Sequence, residues 1–132
     1  MKLFDTIEQA LQRNMDLRLT RQSIINANIA NADTPGYRPV TFNFEQQLAE
    51  AVKEEEGGIV ATDAGHLAPA HEFAQIEGDM VEQAGELSPD GNAVDIDRQM
   101  ADLGSNSFNY QASAKMVSKK MAILRYVINQ VR

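Results

Sequence analysis

The chain has 132 residues and a net charge of −7, from 19 acids against 12 bases, with no cysteine and eight aromatic side chains, five Phe and three Tyr. The acidic balance excludes a nucleic-acid surface, whose phosphate contacts need clustered bases. The missing cysteines exclude a disulfide framework, a thiolate nucleophile and a zinc ribbon. The apolar residues are mostly Ala, Leu, Ile, Val and Met, the composition of helix seams rather than of an aromatic-rich sandwich.

The opening Met1-Lys2-Leu3-Phe4-Asp5 runs into Glu8 and Arg13 with no apolar stretch of the length a secretory signal needs. Nothing approaches the roughly 18 apolar residues of a membrane span, so no membrane insertion is expected. From Leu3 to about Asn31 the pattern is helical: Phe4, Ile7, Leu11, Met15, Leu19, Ile25 and Ile29 recur close to every 3.6 residues, and Leu3, Ala10, Leu17 and Ile24 widen the face. Acids sit early (Asp5, Glu8) and bases later (Arg18, Arg21), the order a helix dipole favours.

The helix meets Asp33-Thr34-Pro35-Gly36-Tyr37. Proline pushes the residue before it out of helical space, and Pro-Gly is the usual centre of a type II turn. Phe42 and Phe44 alternate with polar neighbours as in a strand. Phe44, Leu48 and Val52 instead suit a short helix over 46–56, which is the preferred reading. Six of the eight Gly and two of the four Pro fall between Gly57 and Gly91. The apolar runs there (Ile59–Ala61, Phe73–Ile76, Met80-Val81) are too short for a core, so an extended, loop-rich middle with at most a β-hairpin is expected.

A turn at Ser88-Pro89-Asp90-Gly91 and a cap at Asn92 predict a last helix from near Ala93. Ile96, Met100, Leu103, Ser107, Tyr110, Ala114, Val117, Met121, Leu124, Ile128 and Val131 follow at alternating spacings of four and three. That is a five-heptad a/d seam whose natural partner is the first helix, packed antiparallel. The expected fold is mainly α: two long terminal helices pairing as an antiparallel coiled coil, over 1–33 and 92–132, around a loop-rich middle, 34–91, holding a short helix or β-hairpin. Two helices make a thin core, and a seam this long has to face other chains as well. Gly104, beside Leu103, marks a kink or a close helix approach, or else is a tolerated weak spot in the helix.

Catalytic patterns are missing. The two histidines, His66 and His71, lie in the loop-rich middle, with Glu72 adjacent but no Cys or helical spacing to build a metal site. Asp95 and Asp97 diverge by about 200° on a helix and cannot act as a pair. The stretch from Asp90 resembles the start of a calcium loop but has Val94 at a ligand position and Ala101 where a bidentate Glu belongs. There is no phosphate-binding glycine motif. No enzyme activity and no cofactor are expected.

Asn26-Ala27-Asn28-Ile29-Ala30-Asn31-Ala32-Asp33-Thr34-Pro35-Gly36-Tyr37-Arg38 resembles the signature of the bacterial flagellar axial proteins, with Asn26, Asn28, Asn31, Thr34, Pro35, Gly36 and Tyr37 as its motif residues. Phe42-Asn43-Phe44 with Leu48, Thr62 with His66-Leu67, and Asp90 to Asp97 leading to Asn109-Tyr110-Gln111-Ala112 are similar to the proximal-rod subunits of that family. The resemblance implies a structural rod subunit whose terminal helices pack into a hollow, torque-transmitting shaft across the periplasm. It implies, as partners, copies of itself, other rod proteins and the FliE adaptor at the rod base. It also implies passage through the flagellar type III export apparatus without a cleaved signal, so the missing signal does not make the chain cytoplasmic. Phe44-Glu45-Gln46-Gln47-Leu48 resembles the export-gate motif of such substrates, with Phe44 and Leu48 as its apolar ends; a packing pair one helical turn apart is the equal alternative. The Asn-rich stretch is suited to fixing register between helices, or simply to capping one. A neighbouring class of rod subunit is the alternative within the family, and a cytoplasmic coiled-coil adaptor or chaperone the alternative outside it.

Overall fold

The computed structural model describes residues 2–56, 73–83 and 93–130, with side chains from 7–53, 73–83 and 93–130. Helix α1 spans Lys2–Ala30, strand β1 Val40–Asn43, helix α2 Glu45–Glu56, a single 3₁₀ turn Phe73–Gln75, strand β2 Asp79–Glu82 and helix α3 Ile96–Gln130. The terminal helices pack against each other, and α1 also carries β1, α2 and the 3₁₀ turn on its other flank. At 1.5 Å per residue, the 35 residues of α3 reach about 52 Å.

α1 contains neither Gly nor Pro; it ends at Ala30 and passes through hydrogen-bonded turns into Pro35, beyond which no helix could run unbroken. The Thr34-Pro35-Gly36-Tyr37 turn is closed by Tyr37 N–H donating to the Thr34 carbonyl at 3.2 Å, and Gly36 has φ +75, the geometry of type II. β1 and β2 pair antiparallel in a two-stranded sheet, with Phe42 opposite Met80 and Asn43 opposite Asp79. Gly78, which leads into β2, has φ +73, and a Cβ there would come 2.5 Å from the Phe42 ring, so glycine is required twice over.

The middle does form a core, contrary to the expectation from its short apolar runs. Phe42, Phe44, Ala51, Phe73 and Ile76 are buried together with Leu17 of α1, and Ala10, Ile24, Leu48 and Val52 pack around them. Runs of three or four residues suffice because the amphipathic face of α1 is their common floor. The strand and helix readings of 42–52 are both realised: Phe42 belongs to β1, Phe44 is the joint, and Leu48 and Val52 lie on α2. Phe73–Gln75 is a 3₁₀ turn rather than a strand, while Met80 and Val81 are in β2.

The α3 boundary also differs from expectation. The helix starts at Ile96, and Asp95 caps it by accepting the Arg98 N–H at 3.1 Å. Asn92, the expected cap, lies outside the described residues, as do the 88–91 turn, Ile59–Ala61, His66, His71 and Val131. A Cβ on Gly104 would meet nothing within 4 Å, so no close helix approach occurs there.

No α3 residue joins the apolar core, and the buried residues of α3 are Gln99, Asn106 and Ser113, all polar. Apolar burial therefore secures the central part of α1, whereas α3 is held largely by side-chain hydrogen bonds, each worth about 1 kcal/mol net. Native-state hydrogen exchange should show α3 amides from Gln99 to Ser113 exchanging at least about tenfold sooner than those of α1 from Asn14 to Asn28, a gap near 1.4 kcal/mol. Equal protection of the two helices would contradict this division of the fold.

Candidate functional site

The expected seam does not face α1 squarely. Gln99, Asn106 and Ser113 recur every seven residues, one position before seam residues Met100, Ser107 and Ala114. This row of small polar side chains is the one turned to α1. Asn28 Nδ2 donates to Gln99 Oε1 at 3.0 Å, Asn106 Nδ2 donates to the Arg18 carbonyl at 2.9 Å and to Gln22 Oε1 at 3.0 Å, and Asn14 Nδ2 donates to Ser113 Oγ at 3.0 Å. Fourteen residues separate Asn14 from Asn28, and Ser113 from Gln99, which fixes an antiparallel register.

α3 is thus rotated about its axis from the expected pose. Leu103, Tyr110, Ala114, Val117 and Leu124 are half-buried along the edge of the contact, while Ile96, Met100, Met121 and Ile128 are exposed. Hydrophobic periodicity found the greasiest stripe of α3; the stripe that meets α1 is selected by amide pairing. Its signal was the heptad recurrence of Gln99, Asn106 and Ser113, matched by Asn14 and Asn28 on α1, which an apolar count passes over.

Asn28 is the anchor of this ladder. It is 1% exposed and uses its whole amide: Nδ2 donates to the Val40 carbonyl (2.8 Å) and to Gln99, and Oδ1 accepts from Tyr37 Oη–H and from Val40 N–H, both at 3.0 Å. A carboxamide has two donors and two acceptor sites, so no capacity is left over. Of the signature residues, Asn28 and Tyr37 are thereby brought together with β1 and α3. Asn31 instead caps α1, donating from Nδ2 to the Ala27 carbonyl at 2.8 Å and accepting from Thr34 Oγ1 at 3.3 Å. Asn28 thus bonds between the helices, while Asn31 bonds within the end of its own helix. Asn26, Thr34, Pro35 and Gly36 are exposed. Farther along the ladder the pairing loosens, since Asn106 Oδ1 and Asn14 Oδ1 are buried with no partner.

Arginines of α1, of which sequence reasoning used Arg13 only as a break in an apolar stretch and Arg18 and Arg21 only as dipole charges, bind the middle to the helix. Arg13 donates from Nε to the Ile76 carbonyl at 2.8 Å, and Arg21 donates from Nε and Nη2 to the Phe42 carbonyl at 2.9 and 2.6 Å. Arg21 also forks onto the Glu45 carboxylate and lies 4.5 Å from the Phe44 ring centroid, with Arg18 at 5.4 Å. Burial lowers the pKa of Arg18, opposed by the nearby Glu45 charge. For Glu45, burial pushes upward, but the Arg21 hydrogen bond, the backbone N–H groups of Glu45 and Phe44 and the Arg21 charge together outweigh it and hold the carboxyl below its ordinary value. Phe44 is 1% exposed under these guanidinium groups and Leu48 packs beside it, so in the folded chain the two form a packing pair.

Among the described residues no group of three or more His, Cys, Asp or Glu is placed to hold a metal, and no helix is long and apolar enough to cross a membrane. What the geometry gives is a polar ladder inside the helix pair and exposed apolar side chains outside it.

Residues 9–38 match the family described as flagella basal body rod protein. The matched stretch is the one that carries Asn14, Arg18, Arg21, Asn28 and Tyr37. The chain is 31% identical to the flagellar basal body rod protein FlgB of Buchnera aphidicola, covering 96% of this chain and 98% of the relative. It is 34% identical to FlgB of Salmonella typhimurium over 90% and 92% of the two chains, and 34% identical to FlgB of Escherichia coli over 88% and 90%. The class is that of structural flagellar basal-body rod proteins, not of enzymes. Within it, the chain belongs to the FlgB family. The FlgB relatives decide against FlgC, the neighbouring rod subunit that was the alternative within the family.

A group whose folded pKa is depressed contributes stability that is present above its unfolded value and lost as pH falls through the folded value. Melting of the full chain should therefore weaken as pH falls from about 5 toward about 3, and Glu45→Gln should remove part of that slope while lowering Tm at pH 7 by roughly a few degrees. An unchanged slope in the Glu45→Gln protein would show that the Arg21–Glu45 fork contributes nothing.

Proposed function

We propose that the chain is a structural subunit of the proximal rod, assembling through its terminal helices into the hollow shaft that carries motor torque to the hook. The observation that carries this reading is the surface of α3. Nine large apolar side chains on it are exposed, among them Met116, Ile123 and Val127 along one side of its C-terminal half and Met121 and Ile128 along another. Exposed apolar area of this extent on a single helix marks a surface that other chains cover. On this reading the neighbours are copies of the chain, other rod proteins and the FliE adaptor, in the periplasmic part of the basal body; membership of the rod-protein family supports it.

The export route follows on the same reading. A subunit that threads a narrow channel unfolded needs no cleaved signal, and polar pairing between α1 and α3 is easily undone and remade. Burial of Phe44 and Leu48 supports their serving as an export-gate motif only while the chain is unfolded; after folding they are core.

Val117 is half-buried at the seam edge and Ser118 is exposed. In an assembled rod a carboxylate at 117 is desolvated without a partner, at a cost of several kcal/mol. Cells carrying Val117→Asp should make and secrete the subunit at the normal level yet build no rod and fail to spread in soft agar, while Ser118→Asp cells swim. Normal swimming by both variants, or equal failure of both, would refute the seam as an assembly surface.

A further inference from the structure

The two strands of the ribbon treat their outer edges differently. On β1 the outward groups are bonded by α1: Asn28 accepts from the Val40 N–H and donates to its carbonyl, and Arg21 donates to the Phe42 carbonyl. In an antiparallel ladder, inward and outward pairs alternate along the strands. Val40 and Phe42 bond outward, and the Gln83 N–H donates inward to the Pro39 carbonyl, so the inward pairs are Thr41 with Val81 and Asn43 with Asp79. The N–H and C=O groups of Met80 and Glu82, opposite Phe42 and Val40, therefore point away from β1. No described residue bonds to them on that side, and all four residues of β2 are exposed, Met80 by 67%. A two-stranded ribbon with one open edge is a template for a third strand.

We infer that the outer edge of β2 binds an extended segment of a different protein, added as an antiparallel strand of the pattern base-apolar-apolar-base. The edge itself selects that occupant. β2 reads Asp79-Met80-Val81-Glu82, so an antiparallel strand in register puts a base opposite each acid and apolar side chains opposite Met80 and Val81. The acids are open to such a partner. Among the described residues the one ion pair is Arg21 with Glu45, and Asp79 spends one oxygen on the Gln47 amide at 3.0 Å. Two bases flank the ribbon, Arg13 bonded at Ile76 and Arg38 ahead of Pro39, but neither pairs with Asp79 or Glu82. A second copy of the chain is not the occupant. Pairing β2 with itself would set two acidic strands side by side, and the sequence has no run of base, two apolar residues and base to offer instead. The inference stands apart from the rod reading and does not rest on it.

The probe is a fluorescently labelled synthetic peptide with Lys-Val-Val-Lys at its centre and two threonines on each side. At low salt the full-length protein should bind it at least about tenfold more tightly than the same peptide with glutamates for lysines, and Asp79→Lys with Glu82→Lys should reverse that preference. Met80→Pro removes an outward N–H but no bond of the β1–β2 ladder. It should weaken binding at least about tenfold while Tm stays within a few degrees, whereas Met80→Val, which keeps the N–H, should bind as the wild type does. N-methylation of the peptide reads the same geometry without altering the protein, and so covers a Met80→Pro chain that fails to fold. Methylating the first lysine and the second valine, whose N–H groups face β2 in this register, should abolish binding, and methylating the other two residues should not. Equal binding of the lysine and glutamate peptides, binding indifferent to Met80→Pro, or equal tolerance of both methylation patterns would overturn the inference. Binding of neither peptide would overturn it as well, leaving Asp79 and Glu82 as charges that keep other strands off the edge.

Discussion

The structure depends on how a long amphipathic helix is held without spending its apolar surface. α3 meets α1 through amides and a hydroxyl, with Asn28 and Gln99 at one end and Asn14 and Ser113 at the other. Hydrogen bonds demand particular partners at particular heights, whereas an apolar seam tolerates slippage by a heptad. A polar ladder therefore sets register while adding little net stability. It also leaves Met100, Met121 and Ile128 of the apolar seam of α3 on the outside. The opposite design, with Met100, Leu103, Met121 and Ile128 buried against α1, would give a firmer monomer and a poorer building block.

The middle segment has the complementary task. Its apolar side chains are too sparse to fold on their own, yet laid on Leu17, Ala10 and Ile24 they close a core that stiffens α1. Arg13 and Arg21 reach from α1 to carbonyls at Ile76 and Phe42, tying down the two ends of this layer. Asn28 joins both systems, since the same amide binds Val40 at the head of β1 and Gln99 on α3. The signature sequence is then understandable as chemistry: the type II turn at Pro35-Gly36 returns the chain so that the Tyr37 hydroxyl and the Val40 amide arrive at Asn28.

Both long helices and the Thr34–Tyr37 turn were legible in the sequence, because 3.6-residue spacing and Pro-Gly chemistry are local. The family was legible in the Asn26–Arg38 stretch for the same reason. The core of the middle was not, since Phe42, Phe44, Phe73 and Ile76 become a cluster only on the surface that α1 provides. Nor was the rotation of α3. The row Gln99, Asn106, Ser113 carries no hydrophobic signal, and its meaning depends on amides 71 to 99 residues away. The start of α3 shifted because Asp95, read as a first-turn acid, is itself the cap.

The central claim is that one buried amide pair sets the register of the helices, and a double-mutant cycle on Asn28 and Gln99 tests it most directly. Asn28→Ala orphans the Tyr37 hydroxyl, the Val40 amide groups and Gln99 Oε1, while Gln99→Ala removes a single partner. Urea unfolding of the full chain should show a loss of about 3 kcal/mol or more for Asn28→Ala, a smaller loss for Gln99→Ala, and a coupling of about 1 kcal/mol between them. Single losses within about 0.5 kcal/mol of zero, or strict additivity, would mean that the helices are held in register by something other than this pair.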